Sequence, residues 1–255
     1  MIQANLTELY GKGFYDSFER STFESADVIV PTVMQLLAPR NVVDVGCGRG
    51  IWLRVFLDHG VSRIQGLDGD HASADNLFIP RANFTPMDLT KPFSIGDHYD
   101  LAVCLEVAEH LPDSVAEGLV RELTRAAPCV LFSAAVPGQG GQHHINEQWP
   151  EYWHELFRVN GFVSFDYFRP QLFPDKRVCS WYRQNLVLYV SIDYLSRTPS
   201  LAERLGDAQE CRVEWIHVDT YRSHLDLTPR RLVRILPTLI FRAIKNRLNA
   251  MRAIG

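Results

Sequence analysis

VVDVGCGRG (42–50) is a run of β-branched residues that passes directly into three glycines. Its first part, with Asn41, predicts a buried β-strand over 41–45. The glycines allow the tight turn by which such a strand enters a helix, and they let a ligand lie against the backbone. The stretch therefore predicts a strand–turn–helix unit with a ligand site at the carboxyl end of the strand.

Strands and helices alternate on both sides of this turn. Further strands are predicted at 63–67, 82–85, 99–105, 128–134, 163–168 and 186–191. Helices are predicted over 51–60, near 71–78, over 113–127 with Asp113 as the N-cap, and near 149–159. Strand–helix alternation is typical of parallel sheets with helices on both faces. The sequence thus predicts an α/β fold around a seven-stranded, mostly parallel sheet.

Composition excludes several classes of protein. The 255 residues are 46% hydrophobic and 22% charged, as in globular rather than disordered proteins. The five cysteines are odd in number and lack metal-like spacing, which predicts free thiols in a reducing compartment. We see neither a signal peptide nor an apolar run long enough to span a membrane, so we expect a cytoplasmic protein.

The end of the chain is basic, and we expect two parts, 1–195 and 196–255. Residues 228–255 contain seven basic and no acidic residues, although the whole chain carries a formal net charge of −4. The acidic remainder argues against nucleic acid as a partner. Helical apolar spacing predicts a basic amphipathic helix, interrupted near Pro237. It would dock on the acidic domain or a second subunit, or lie on an anionic membrane; we favour docking slightly.

The glycine turn differs from a dinucleotide-binding turn. Its spacing is G-x-G-x-G, not the G-x-G-x-x-G that seats a pyrophosphate on a helix. Asp44 would repel a pyrophosphate but suits an ammonium group, and Asp68 can accept ribose hydroxyls. A cationic, phosphate-free nucleoside is therefore favoured. Two rivals stay open: a nicotinamide-dependent oxidoreductase, which shares the fold and Asp68, and a non-catalytic cofactor-binding protein.

A set of segments extends this pattern along the chain. They are VVDVGCGRG (42–50), GLDGD (66–70), MDL (87–89), LEVAEHLP (105–112), FSAAVPGQGG (132–141), HINEQWPEYW (144–153) and WYRQN (181–185). In order and spacing the set resembles the class I S-adenosylmethionine-dependent methyltransferases, in particular a bacterial branch acting on small molecules and saccharides. The resemblance covers roughly residues 10–190. It implies a Rossmann-like fold and S-adenosylmethionine as the cofactor.

The resemblance also implies which residues bind the cofactor. They are Asp44, Gly46, Cys47 and Gly48 at the methionine end, Asp68 and Gly69 at the ribose, Asp88 and Leu89 at the adenine, Glu106 and Val107 after the fourth strand, and Tyr15 and Ser25 from a helical cap (1–35). The cofactor half would be 41–134 and the substrate half 134–195. Individually, Asp88 fits a turn residue, Glu106 a surface acid, Leu89 a core residue and the cap an ordinary packing helix.

The polar loop 134–149 follows the fifth strand and should reach the same edge of the sheet. Transfer of a methyl group to a hydroxyl requires removal of a proton, for which histidine is suited. We predict His144 as general base, oriented by Glu147, with His143 as the second candidate. The competing interpretation is that these histidines only fix the loop.

The predicted acceptor contacts are Asn146, Gln148, Trp149, Tyr152 and Arg183. The expected acceptor is a hydroxyl of a small molecule, with a saccharide as first choice; a small amine is the alternative. His110 either lines the cofactor pocket or caps a turn. Adjacent histidines rarely share one ion and no third ligand is evident, so no metal site is predicted.

Overall fold

All seven runs predicted as strands form strands in the structure. The computed structural model describes residues 17–69 and 76–206, together with residue 236. The strands are β1 (Asn41–Val45), β2 (Arg63–Asp68), β3 (Phe84–Pro86), β4 (Leu101–Leu105), β5 (Cys129–Ser133), β6 (Phe162–Phe165) and β7 (Val187–Ser191). Over the described residues they build one sheet of order β3-β2-β1-β4-β5-β7-β6.

The sheet is mostly parallel, as predicted. β1 pairs in parallel with β2 and β4, β2 with β3, and β4 with β5. β7 is antiparallel to both of its neighbours, β5 and β6. The carboxyl ends of the first five strands therefore lie at one edge of the sheet, where ligands bind in open parallel sheets. The predicted α/β, Rossmann-like fold class is confirmed for the described residues.

The described α-helices are numbered in chain order, and α1 precedes the first strand. They are α1 (Ser17–Leu37), α2 (Ile51–Asp58), α3 (Ala116–Ala126), α4 (Pro150–Val159), α5 (Arg169–Leu172), α6 (Ser180–Asn185), α7 (Ile192–Arg197) and α8 (Pro199–Leu205). The expectation that Asp113 caps a helix is wrong. A 3-10 turn (Asp113–Val115) precedes α3, and the Asp113 carboxylate instead accepts a hydrogen bond of 2.6 Å from Tyr152.

The strands are buried on both faces. Neighbouring residues of β1 enter different clusters, since Val42 packs in the one that contains α1 and α2, and Val43 in the one that contains α3 and α4. Such two-sided burial explains why the strands read as continuous apolar runs instead of alternating ones. The helices on each face fix the sheet and leave the strand ends to form a site.

The N-terminal helix α1 is part of the main core. Its fully buried Ile29 and Val33 belong to the cluster that contains α2, and the two helices are in contact. Within the predicted cap, residues 1–16 lie outside the described part of the chain. The described part of this segment, residues 17–35, therefore fits an ordinary packing helix.

The chain forms two compact units, residues 1–217 and residues 218–255. The predicted basic helix of 228–255 lies outside the described residues, apart from residue 236, which is helical. None of the described helices has the length and apolar character needed to cross a membrane. The described cysteines, which are Cys47, Cys104, Cys129 and Cys179, carry free thiols as predicted.

The start of β1 provides a first test of the fold. Asp100 accepts hydrogen bonds from the backbone N–H groups of Arg40 (2.7 Å) and Asn41 (3.0 Å), whereas nearby Asp97 forms only an exposed ion pair with Arg63. We expect Asp100→Ala to lower the free energy of unfolding by about 1 kcal/mol. Asp97→Ala should change it by less than about 0.5 kcal/mol. Urea denaturation measures both, and equal losses would contradict this role of Asp100.

Candidate active site

The glycine turn brings the chain back over the end of β2. The backbone N–H groups of Gly46 and Cys47 both donate to the carbonyl of Leu67, at 2.7 and 3.2 Å. Gly46 has φ +80°, and a Cβ atom there would lie 2.3 Å from a methyl carbon of Val107. Only glycine fits this position, because both the backbone conformation and the space exclude a side chain.

Asp68 braces the turn from the end of β2. One carboxylate oxygen accepts the N–H of Gly48 and the other accepts the N–H of Gly69, each at 2.6 Å. Asp44, on β1, is 2% exposed, and its Oδ2 atom has no hydrogen-bond partner among the described residues. Burial, and then the charge of Asp68, raises the pKa of Asp44 well above its usual range. Two carboxyl groups thus lie close together with little compensating charge.

A cavity of about 730 Å³ opens at this edge of the sheet. It falls in the range of roughly 300–1,000 Å³ typical of small-molecule pockets. The predicted cofactor residues that line it are Gly46, Asp68, Gly69, Asp88, Leu89, Glu106 and Val107. The remaining lining residues are Pro86, Met87, Thr90, His110 and Leu111. The structure therefore brings most of the predicted cofactor set around one space.

The other predicted cofactor residues do not line the cavity. Asp44 belongs to β1, and Cys47 and Gly48 belong to the glycine turn that follows it. Ser25 is fully buried in α1, where it donates to the carbonyl of Ser21 and accepts the N–H of Cys179. Tyr15 lies outside the described residues.

Asp88 stabilises its own turn and also lines the cavity. Its Oδ1 atom accepts from the N–H (3.0 Å) and the hydroxyl (2.5 Å) of Thr90, and Lys91 forms an ion pair with it at 2.7 Å. These contacts, first that with Lys91 and then those with Thr90, lower the pKa of Asp88 to about 2. The carboxylate is thus a charged acceptor at the rim of the cavity, and its turn role does not exclude a ligand role.

Glu106 is held in an uncommon conformation at the end of β4. Its φ is +55°, and its N–H donates to Ser133. Its carboxylate accepts from the side-chain amides of Gln139 (3.0 Å) and Asn185 (3.1 Å). Burial raises the pKa of Glu106, and these hydrogen bonds only partly oppose it. No local sequence pattern links Gln139 or Asn185 to Glu106, so these two contacts were not predicted.

Glu109 is a second acid in the site, and the sequence analysis did not predict it. It is completely buried in the 3-10 turn after β4 (Ala108–His110), and neither carboxylate oxygen has a well-aligned hydrogen-bond donor among the described residues. Burial, and then the charge of Glu106, raises the pKa of Glu109 to about 9, although the backbone of Glu109 and of Ala135 partly opposes the shift. Glu109 lies four residues beyond the end of β4, and no sequence pattern distinguishes it from a surface acid.

The polar loop is organised around Glu147. Its carboxylate accepts the N–H groups of Gly138 (2.7 Å) and Gly140 (2.8 Å) and contacts Nδ1 of His144 at 3.0 Å. Burial acts to raise the pKa of Glu147, but these hydrogen bonds outweigh it and the pKa is lowered. The ring of His144 packs edge-on against that of His110, with centroids 4.8 Å apart. His143 is exposed with φ +60°.

None of the predicted acceptor contacts is among the residues that line the cavity. Asn146 is buried and accepts a hydrogen bond from Gln148 at 2.9 Å. Tyr152 bonds Asp113, and Arg183 is buried in α6 and donates to the carbonyl of Phe173. Trp149 is 46% exposed. Of this set, Trp149 has the most surface to offer a ligand.

The comparisons with known proteins agree with this geometry. A family model described as a methyltransferase domain matches residues 26–185, more than half of the chain. The chain therefore belongs to the methyltransferase-domain family. Membership confirms the predicted class, the S-adenosylmethionine-dependent methyltransferases, and sets the chain apart from nicotinamide-dependent oxidoreductases.

Curated relatives match a shorter region. The ubiquinone biosynthesis O-methyltransferase of Nitrosospira multiformis is 30% identical over 109 residues, which is 38% of this chain and 44% of the relative. The protein of the same name from a Methylobacterium species is 32% identical over 107 residues, 39% of this chain and 41% of the relative. The match spans less than half the length of these curated relatives.

Solved structures share the architecture. DesVI of Streptomyces venezuelae superposes with a TM-score of 0.53 at 12% identity, over 68% of this chain and 92% of that one. An O-methyltransferase family protein from Burkholderia thailandensis gives 0.50 at 13% identity, over 68% and 58%. At these identities the similarity shows the fold alone.

Proposed function

We propose that the protein transfers a methyl group from S-adenosylmethionine to a hydroxyl oxygen of a small molecule. The observation that carries the proposal is the cavity at the strand ends, which is lined by seven of the predicted cofactor residues. Family membership supports the cofactor, and the O-methyltransferase names of the two curated relatives support oxygen as the acceptor atom.

The residues present fit this cofactor. Asp44 has a buried oxygen without a hydrogen-bond partner within the described chain, and the carboxylate of Asp68 next to it lines the cavity. A sulfonium and an ammonium group would balance that charge, whereas a pyrophosphate would add to it. Asp68 would hold the ribose and Asp88 the adenine amino group, while the space above Gly46 admits the methionine end. When bound, the cofactor supplies an electrophilic methyl group.

The protein's own contribution is positioning and proton removal. We assign the general-base role to His144, which sequence analysis predicted. Support comes from its contact with Glu147, because a carboxylate on one ring nitrogen fixes the tautomer and leaves the other to accept a proton. The backbone N–H groups of Ile145 and Asn146 donate to the carbonyl of Glu109, at 2.9 and 3.0 Å, so the loop is fixed to the turn beside the cavity.

A saccharide or another small hydroxylated compound is the proposed acceptor. The loop exposes two large apolar side chains, Ile145 at 66% and Trp149 at 46%. Exposed aromatic surface next to polar side chains suits a ring with one apolar face and several hydroxyl groups. Acceptor screening should therefore pair free sugars with simple phenols, and small amines test the nitrogen alternative.

Calorimetric titration tests the cofactor assignment. We expect S-adenosylmethionine and S-adenosylhomocysteine to bind and NADH not to bind. Asp68→Asn should weaken S-adenosylhomocysteine at least about tenfold, since one charged hydrogen bond contributes about 1.5–3 kcal/mol. Asp58→Asn is the matched control, because Asp58 is exposed and paired with Arg54 on α2.

Binding of neither sulfur nucleoside by folded protein would overturn the proposal. Binding without methyl transfer to any acceptor of the panel would instead favour the non-catalytic alternative.

A further inference from the structure

Three side chains that can bind a metal meet at one point beside the cavity. The ligand atoms of Glu109, His110 and His144 all lie within 4.8 Å of one another. Glu109 and His110 come from the turn after β4, and His144 comes from the polar loop. Two backbone hydrogen bonds from the loop to the carbonyl of Glu109 hold these segments together. The grouping is therefore built into the fold.

No lysine or arginine in the described part of the chain forms an ion pair with the carboxyl group of Glu109; its partners there are the backbone of Glu109 and Ala135 and the side chain of Glu106. It is 0% exposed, its oxygens have no well-aligned donor there, and the like-charged Glu106 acts on it. Burial of an acid without a counter-charge is costly and is rarely kept without a reason. A cation between Glu109 and the two imidazoles would supply the missing charge.

Both imidazoles are oriented as metal-ligating histidines usually are. Nδ1 of His144 contacts the Glu147 carboxylate, which leaves Nε2 for a ligand. His110 forms a hydrogen bond with the backbone of His143. A carboxylate or carbonyl on the second ring nitrogen is the common way to fix a metal-binding histidine.

We propose that Glu109, His110 and His144 bind one divalent cation at the edge of the cofactor cavity. Mixed carboxylate and imidazole ligands favour Mn²⁺ or Zn²⁺ over Ca²⁺ and Mg²⁺. Three protein ligands leave coordination positions open. The sequence predicted no metal here because it considered His143 beside His144. In the structure His143 is exposed, and the partner of His144 is His110.

The catalytic meaning of this site rests on the proposed function. An acceptor hydroxyl bound to the cation becomes more acidic, as does a metal-bound water. Nε2 of His144 is then a metal ligand and no longer the base; the cation makes the hydroxyl acidic enough for its proton to pass to solvent water. The existence of the site is independent of methyl transfer, and it can be tested without cofactor or acceptor.

The test is titration of the chelator-stripped full chain with MnCl₂ alone, followed by calorimetry and electron paramagnetic resonance, with ZnCl₂ in parallel. We expect one equivalent to bind. Glu109→Gln and His144→Gln should each weaken binding about 10- to 100-fold, since losing even a partner of a metal ligand has that effect. The control for adventitious binding to surface imidazoles is His98→Gln, because His98 is exposed. This variant should bind the metal like the wild type.

Absence of binding by folded wild-type protein, or equal affinity in all the variants, would overturn the cation site. Circular dichroism establishes that each variant is folded. Failure of the metal titration with S-adenosylhomocysteine still bound would leave the proposed function intact. Metal binding without nucleoside binding would support the cation site and contradict the proposed function.

Discussion

Replacement of His144 by glutamine is expected to lower kcat at least about 100-fold, the usual contribution of a positioned proton-transfer group. Affinity for S-adenosylhomocysteine should stay within about twofold, because His144 does not line the cavity. The expectation holds whether the imidazole acts as the base or through the cation. Steady-state methyl transfer and calorimetry on the same preparation measure the two effects.

Two further variants sharpen the result. A Cβ atom on Gly141 would lie 2.1 Å from Nε2 of His144, although Gly141 is not in the left-handed region. Gly141→Ala should therefore displace the imidazole and reproduce the loss, with Gly118→Ala on α3 as the control glycine. If His143→Gln lowers kcat equally, the role in proton removal belongs to His143 instead. Unchanged turnover in His144→Gln would remove His144 from the mechanism.

Gly46→Ala is expected to lower the free energy of unfolding by about 3 kcal/mol, as the sum of left-handed strain and overpacking. The new methyl group would overlap Val107, which lines the cavity. Binding of S-adenosylhomocysteine should weaken at least about 100-fold, because the turn must shift toward the ligand space. Thermal unfolding and calorimetry measure both effects.

Gly60 provides the matched control. It has φ +93°, but a Cβ atom there would meet nothing within 4 Å. Gly60→Ala should therefore show the backbone cost alone and leave nucleoside binding unchanged. Adding Val107→Ala to Gly46→Ala removes both overlapping methyl carbons and should restore part of the stability. If the two glycine variants lose equal stability, the contact with Val107 has no energetic role.

The sheet could be predicted from the sequence because its strands are buried on both faces. Val42 and Val43 enter opposite cores, and this leaves a continuous apolar run that is readable without an alignment. Strand ends that carry glycine and aspartate also predicted residues that line the cavity, such as Gly46 and Asp68. The Asp113 cap was wrong, since a 3-10 turn intervenes and the carboxylate bonds a tyrosine from a distant helix.

Other parts of the site were less predictable because their contacts are non-local. Glu106 is fixed by Gln139 and Asn185, which come from a loop and from α6. Ser25 has the right residue type for a ligand contact, yet it is used to hold the N–H of Cys179. Sequence spacing carries no information on such pairs. Glu109 was missed for another reason: its complete burial beside Glu106 follows from the fold and is not visible in the sequence.

The antiparallel β7 sets the order in which the chain can fold. β7 lies between β5 and β6, although β6 is made first by the ribosome. A nascent chain can thus assemble the parallel strands around the glycine turn while β6 still has no neighbour to pair with. Sheet completion must wait for residues 187–191, and this late, long-range insertion is the slow kind of contact in folding. We therefore expect the parallel strands β1 to β5 to become structured before β6 and β7 complete the sheet.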